Sequence, residues 1–198
     1  MNKTDQILKL TKEKGIVRPK DVEELGINRH ILYSLYKKGL LIKIDRGMYM
    51  LPDAPITEYQ NLIKVAKKIP AAVVCLISAL SFHEITTQIP NELWIAVPRD
   101  TWRPKIDYPP LHYTVMNKKA YSFGIQEVNI NGVLVKIYTP AKTVADCFKF
   151  RNKVGLDVAI EALREVMRTR KATMDELVGA AKVNRVLKIM RPYMEAIV

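Results

Sequence analysis

The chain has 198 residues, 48% of them apolar, and a formal net charge of +12 at pH 7 from 32 Lys and Arg against 20 Asp and Glu. That length suits one mid-sized domain or two small ones with a genuine core, and the composition excludes a disordered, collagenous or low-complexity chain. The longest apolar run, Ala71 to Ile77, is far short of the ~18–20 residues a spanning helix needs, and the opening MNKTDQILKLTKEKG lacks a signal-peptide core, so a cytoplasmic protein without membrane contact is expected.

The first elements are helical. Thr4 is placed to cap a helix carrying Ile7, Leu8 and Leu10, with Gly15 as its stop. Pro19 opens a second, short helix with Val22 and Leu25 on its buried side and Gly26 ending it. Asn28 caps a third helix to about Lys38, in which Ile31, Leu32 and Leu35 share one face, Ile27 staples the entry and Gly39 closes the end. Three helices in under forty residues, the last two joined through a glycine, have helix-turn-helix anatomy. Next come LLIKID, Arg46-Gly47 and MYML, two strand-like runs about a tight turn, so a hairpin follows the third helix as a wing. Pro52 to Pro55 break the pattern and place a domain boundary at 54/55.

The remainder reads as mixed α and β. A helix is expected over Ile56–Ile69, a short strand over Ala71–Cys75, and a helix capped by Ser78 through Glu84. Strands follow at Glu92–Val97, Leu111–Met116, Ile125–Ile130 and Val133–Tyr138, the last two joined by Asn131-Gly132, the strongest hairpin signal in the chain. Thr139-Pro140 caps a helix to about Phe150, and Leu156–Met167, Met174–Lys182 and Val183–Ala196 complete the helices. The expected fold class is α+β: a winged helix-turn-helix domain at 1–54 and a mixed α+β domain at 55–198.

The chemistry-bearing residues divide unevenly. Cys75 and Cys147 are too few for a disulfide framework or zinc site, and His30, His83 and His112 show no ligand spacing, so no metal and no cofactor is expected. Phosphate-binding and nucleophile-elbow motifs are absent, and no catalytic residue is assigned. The His83-Glu84 pair points its side chains about 100° apart and reads as structural. Lys142 and Asp146, one turn apart, read as an intrahelical ion pair of a few tenths of a kcal/mol. A nuclease would need an acid followed by acid-x-Lys on the hairpin, which offers only Glu127 and Lys136.

The charge excess is spread along the chain, so position decides its meaning. The third helix presents Arg29, His30, Tyr33, Ser34 and Lys37 outward, with Asn28 at its start; the residues at the N-terminal end reach base edges. Lys37, Lys38, Lys43 and Arg46 at the wing tip suit phosphate contacts, or the minor groove for Arg46. Any solvated helix carries such residues, and it is the succession of helix, wing and basic tip that favours double-stranded DNA as the partner.

The order of helix-turn-helix, the wing ending RGMYMLP, the SALxxH helix, the WIAVP strand and TPAKTVADCF resembles the AbiEi-type antitoxins of type IV toxin–antitoxin (abortive infection) systems. The resemblance implies a winged helix that represses the antitoxin–toxin operon; a homodimer on the operator is one possible assembly, which the sequence does not decide. It also implies a C-terminal domain that counteracts a nucleotidyltransferase-like toxin without a stable complex. The chain is short for that family, with a compact C-terminal helical region. Two other readings stand beside it: a winged-helix transcription factor whose second domain senses a ligand or dimerises, and a nucleic-acid-processing enzyme.

Overall fold

The computed structural model describes residues 2–54, 59–104 and 106–197. The chain packs as two compact units, Met1–Lys67 with Val128–Val135, and Lys68–Glu127 with Lys136–Val198. The sequence places the boundary at 54/55, on the Pro52–Pro55 break; Pro55 lies outside the described residues.

In the first unit, α1 (Lys3–Lys14), α2 (Pro19–Glu23) and α3 (Arg29–Lys37) precede β1 (Ile42–Asp45) and β2 (Met48–Met50), and α4 (Gln60–Lys68) follows. The cap of α1 is Asn2 rather than the expected Thr4: Asn2 Oδ1 accepts from Thr4 N–H at 2.6 Å, and Asp5 accepts from Asn2 N–H. An Asn two residues earlier takes the role, and Thr4 falls within the first turn. Leu25, expected inside, is 49% exposed. Helix α2 ends at Glu23, so helical spacing from Val22 no longer applies and Ile27 fills the buried place instead. The core joins Ile7, Val17, Val22, Ile27, Leu32, Leu35, Leu41 and Tyr49. The β1–β2 hairpin gains a third partner, since Val17 and Tyr49 exchange both backbone hydrogen bonds, at 2.9 and 3.0 Å. The helix expected from Ile56 starts at Gln60; Ile56 lies outside the described residues.

A five-stranded sheet runs in the order β5-β4-β3-β7-β6, from β3 (Val73–Val74), β4 (Leu93–Pro98), β5 (Leu111–Met116), β6 (Ile125–Ile130) and β7 (Val133–Tyr138), and all of it except the hairpin end at Val128–Val135 belongs to the second unit. Strand β3 is antiparallel to β4 and parallel to β7, and β4 is parallel to β5. Helices α5 (Leu76–Phe82), α7 (Pro140–Lys149), α9 (Leu156–Arg168), α10 (Met174–Asn184) and α11 (Leu187–Glu195) share one apolar core with Val73, Trp94, Ala96, Met116 and Tyr138 of the sheet. Two short helices, α6 (Lys118–Ser122) and α8 (Arg151–Val154), fall where no helix was expected. The strand over 71–75 shrinks to two residues, and Ser78 does not cap α5. That helix starts three residues earlier, with Cys75 in the cap position, and the Ser78 hydroxyl instead accepts from Trp94 N–H at 2.9 Å, tying helix to strand. Arg185, at φ +60°, ends α10 two residues later than expected, so the last helix begins at Leu187 rather than Val183.

The Lys142–Asp146 pair corrects its expectation most sharply. Helix α7 is buried from Ala141 through Phe148, both ions included, because α5, α9 and α10 all pack on it. Lys142 Nζ lies 2.5 Å from both carboxylate oxygens and 4.2 Å from the centre of the Tyr138 ring, and Asn184 Nδ2 donates to Asp146 at 2.8 Å. The pair is an internal polar centre, not a solvated ion pair. Burial drives the Asp146 carboxyl up and the Lys142 ammonium down from their ordinary ranges, each against the pull of its partner. His83 Nε2–H donates to the Tyr138 carbonyl at 2.7 Å, and burial lowers the pKa of the ring.

Candidate nucleic-acid interface

The turn between α2 and α3 is set by local chemistry. Gly26 takes φ +70°, a region closed to most side chains, which lets Ile27 N–H reach back to Val22 O at 3.3 Å. Asn28 then caps α3, its Oδ1 accepting from His30 N–H at 2.9 Å. Leu32 and Leu35 go into the core and Ile31 is half-buried, which fixes the opposite side of α3 outward. Ahead of this pair of helices, Asp21 anchors the start of α2. Burial pushes its carboxyl up, but hydrogen bonds from the Arg18 backbone (2.8 Å) and side chain (3.3 Å) prevail and hold it below the usual carboxylate range.

On that outward side the structure gathers Arg29, His30, Ser34 and Lys37, all exposed, with Lys38 just past the helix end. Tyr33 is only half-buried rather than free: its ring meets His30 edge-on at 6.2 Å and Tyr49 at 6.1 Å. Asn28 is exposed, but its carbonyl oxygen is engaged in the cap. Arg29 Nε stands 3.8 Å from Glu23 Oε1, both side chains at least half exposed, so the guanidinium is oriented by α2 rather than locked. Lys43 on β1 and Arg46 at the hairpin tip are exposed, and Gly47 at φ +70° makes the tight turn beside Arg46.

Three contributors escaped the sequence reading. Tyr36, three residues after Tyr33 and on the same side, is 44% exposed with its ring 5.7 Å from that of Tyr49; the i+3 spacing was a usable signal. Glu23 had none beyond its charge. Lys64 of α4 reaches Asp45 at 3.3 Å with both side chains largely buried, while the other oxygen of Asp45 accepts from Arg46 N–H at 2.6 Å. The wing tip is therefore braced from α4, which no local pattern foretells.

Residues 3–50 thus have the geometry of a helix-turn-helix followed by a basic wing. Residues 5–52 match the family of AbiEi antitoxin transcriptional regulators. The AbiEi match spans α1 through β2 and stops before α4, so it covers the three helices and the wing and leaves out the brace. It bears out, over those residues, the resemblance drawn from RGMYMLP and the elements before it. No curated protein matches the chain. Among the described residues no group of three or more His, Cys, Asp or Glu could hold a metal ion, and no helix is long and apolar enough to cross a membrane.

Proposed function

We propose that this chain is a DNA-binding transcriptional repressor and the antitoxin of a type IV toxin–antitoxin system. It binds the operator of its own operon as a homodimer and counteracts a nucleotidyltransferase-like toxin without forming a stable complex. The observation that supports this most is the basic outward side of α3 and the braced wing, lying within the AbiEi-matched residues. In this reading Arg29 and His30 read base edges at the N-terminal end of α3, with Tyr33 and Ser34 behind them. Asn28 fixes the helix start, and Lys37, Lys38, Lys43 and Arg46 hold phosphates. Toxin counteraction is assigned to the second unit on the strength of the resemblance. No catalytic step is assigned to any residue.

Fluorescence anisotropy on the upstream promoter fragment and on random duplex tests the DNA half. Arg29→Ala is expected to weaken operator binding by about 1–3 kcal/mol and random DNA much less. Arg46→Ala is expected to weaken both alike and to flatten the salt slope by about one. Equal loss on both DNAs for Arg29→Ala would mean that α3 grips backbone. Co-expression with the neighbouring toxin gene tests the antitoxin half: arrest of growth in the presence of the full-length chain refutes it.

One feature favours the ligand-sensing alternative. An open groove of about 370 Å³ between α10 and α11 is lined by Met174, Val178, Leu187 and Met194, with Lys182, Arg191 and Glu195 as its charged neighbours, a size that suits a small, mainly apolar compound. Operator affinity that changed on adding such a compound would favour this reading.

A further inference from the structure

The parallel pairing of β4 with β5 requires a crossover through residues 99–110, whose described residues contain no helix. The loop is pinned at several points. Thr101 N–H donates to Pro98 O at 3.2 Å, the Tyr113 hydroxyl donates to Pro104 O at 2.7 Å, and Leu93 N–H donates to Pro110 O at 2.8 Å. Within this tethered loop Trp102 is 77% exposed. The other tryptophan behaves as the type usually does: Trp94 is buried and stacked on His112 with ring centres 3.7 Å apart. Arg99 and Arg103 flank Trp102 in the chain, both exposed, and Arg103 Nη2 donates to the Arg99 backbone carbonyl at 3.4 Å. Among the described residues no carboxylate forms an ion pair with either arginine, although Asp100 and Asp107 lie in the same loop. Arg103 also acts on the Tyr113 hydroxyl electrostatically, against the upward push of burial.

An indole left largely in water, with exposed arginines three residues before and one residue after it in the same loop, on a chain of net charge +12, has the chemistry of a stacking platform with phosphate grips. Bases inside a duplex are already stacked and do not offer a face to an indole, so the matching ligand is single-stranded. A protein-docking hot spot would instead be ringed by contacts that exclude water, whereas the neighbours of Trp102 in the chain are Thr101 and Arg103. We infer that the crossover loop of the second unit is a binding site for single-stranded nucleic acid, with a base stacked on Trp102 and flanking phosphates held by Arg99 and Arg103. The site is separate from the winged helix and does not depend on the operator reading.

Anisotropy of a labelled 20-residue oligothymidylate, titrated with the full-length chain, tests it. Trp102→Ala is expected to weaken binding about five- to 150-fold, the range of one lost base stack, and Trp102→Phe to retain most of it. Arg99→Gln with Arg103→Gln should flatten the salt dependence, and Arg29→Ala with Arg46→Ala should leave this affinity unchanged. In the wild-type chain, the red-shifted emission of Trp102 should be quenched by the oligonucleotide. Three results overturn the inference: no binding by the wild-type chain, Trp102→Ala binding like the parent, or the loss following Arg46→Ala, which would put the strand on the wing. A blue shift of Trp102 emission with rising protein concentration and no oligonucleotide would also overturn it, by showing that a second copy covers the loop. Far-ultraviolet circular dichroism melts verify that each variant is folded.

Discussion

Removing one ion of the buried pair in α7 should cost far more than removing both. In Lys142→Met the Asp146 carboxylate keeps only the Asn184 amide at 2.8 Å, in surroundings with no solvent exposure. Leaving a buried charge without its counterion costs about 3–5 kcal/mol. Asp146→Asn alone strands an ammonium that has only the Tyr138 ring, at 4.2 Å, and shedding its proton is eased by the burial that already lowers its pKa. The double variant removes both charges while retaining size and an acceptor for Asn184, and should lie within about 1 kcal/mol of the parent or above it.

Urea unfolding in a Trp102→Phe background reads this through Trp94, the tryptophan in the same apolar core. The pH dependence carries a definite sign. The raised pKa of Asp146 gives stability that is full below the ordinary carboxyl value and is lost as pH climbs through the folded value. The lowered pKa of Lys142 gives stability that is full above the ordinary lysine value and is lost as pH falls through the folded one. Both contributions are weakest near neutrality, so the double variant should compare best with the parent there and lose ground toward acid and toward alkali. A cost for Lys142→Met under about 1 kcal/mol, or a double variant equal to the sum of the singles, would refute a desolvated, coupled pair.

Two further expectations concern the first unit. Asn28→Ala should lower thermal stability by about 0.5–2 kcal/mol through loss of the α3 cap, whereas Asn28→Ser or Asn28→Asp, which still cap, should restore it; a melt unchanged by Asn28→Ala would free this side chain for DNA. Lys64→Met should loosen the wing and weaken duplex binding, and because the pair is largely buried it should also cost about 1–3 kcal/mol in stability; combined with Arg46→Ala it should add little to the loss of binding, and full additivity in anisotropy would show that the brace does not act through the wing tip.

Much of the fold was legible because the deciding interactions are local. Asn28, Gly26, Gly47 and Asn131-Gly132 impose their backbone geometry within a few residues, and each does so in the structure. The same holds for Thr139-Pro140 at the start of α7. Legibility ended where tertiary packing decides. Ser78 has the chemistry of a cap, yet its hydroxyl serves a strand sixteen residues away. Lys142 and Asp146 have the spacing of a surface pair, and only the helices packed around α7 reveal that no solvent reaches them. In the candidate interface, the exposed polar set of α3 followed from subtracting its apolar stripe. The braces did not, since Glu23 and Lys64 act on Arg29 and Asp45 from other helices.

The discontinuity of the first unit has a consequence for biosynthesis. Its last segment, Val128–Val135, is translated only after the first 60 residues of the second unit, Lys68–Glu127. At about 5–20 residues per second, the winged helix waits some seconds beyond the emergence of α4 before its full complement of chain exists. During that interval the N-terminal segment must persist on its four helices and hairpin alone, so a ribosome stalled between residues 68 and 127 would display a winged helix lacking part of its own packing.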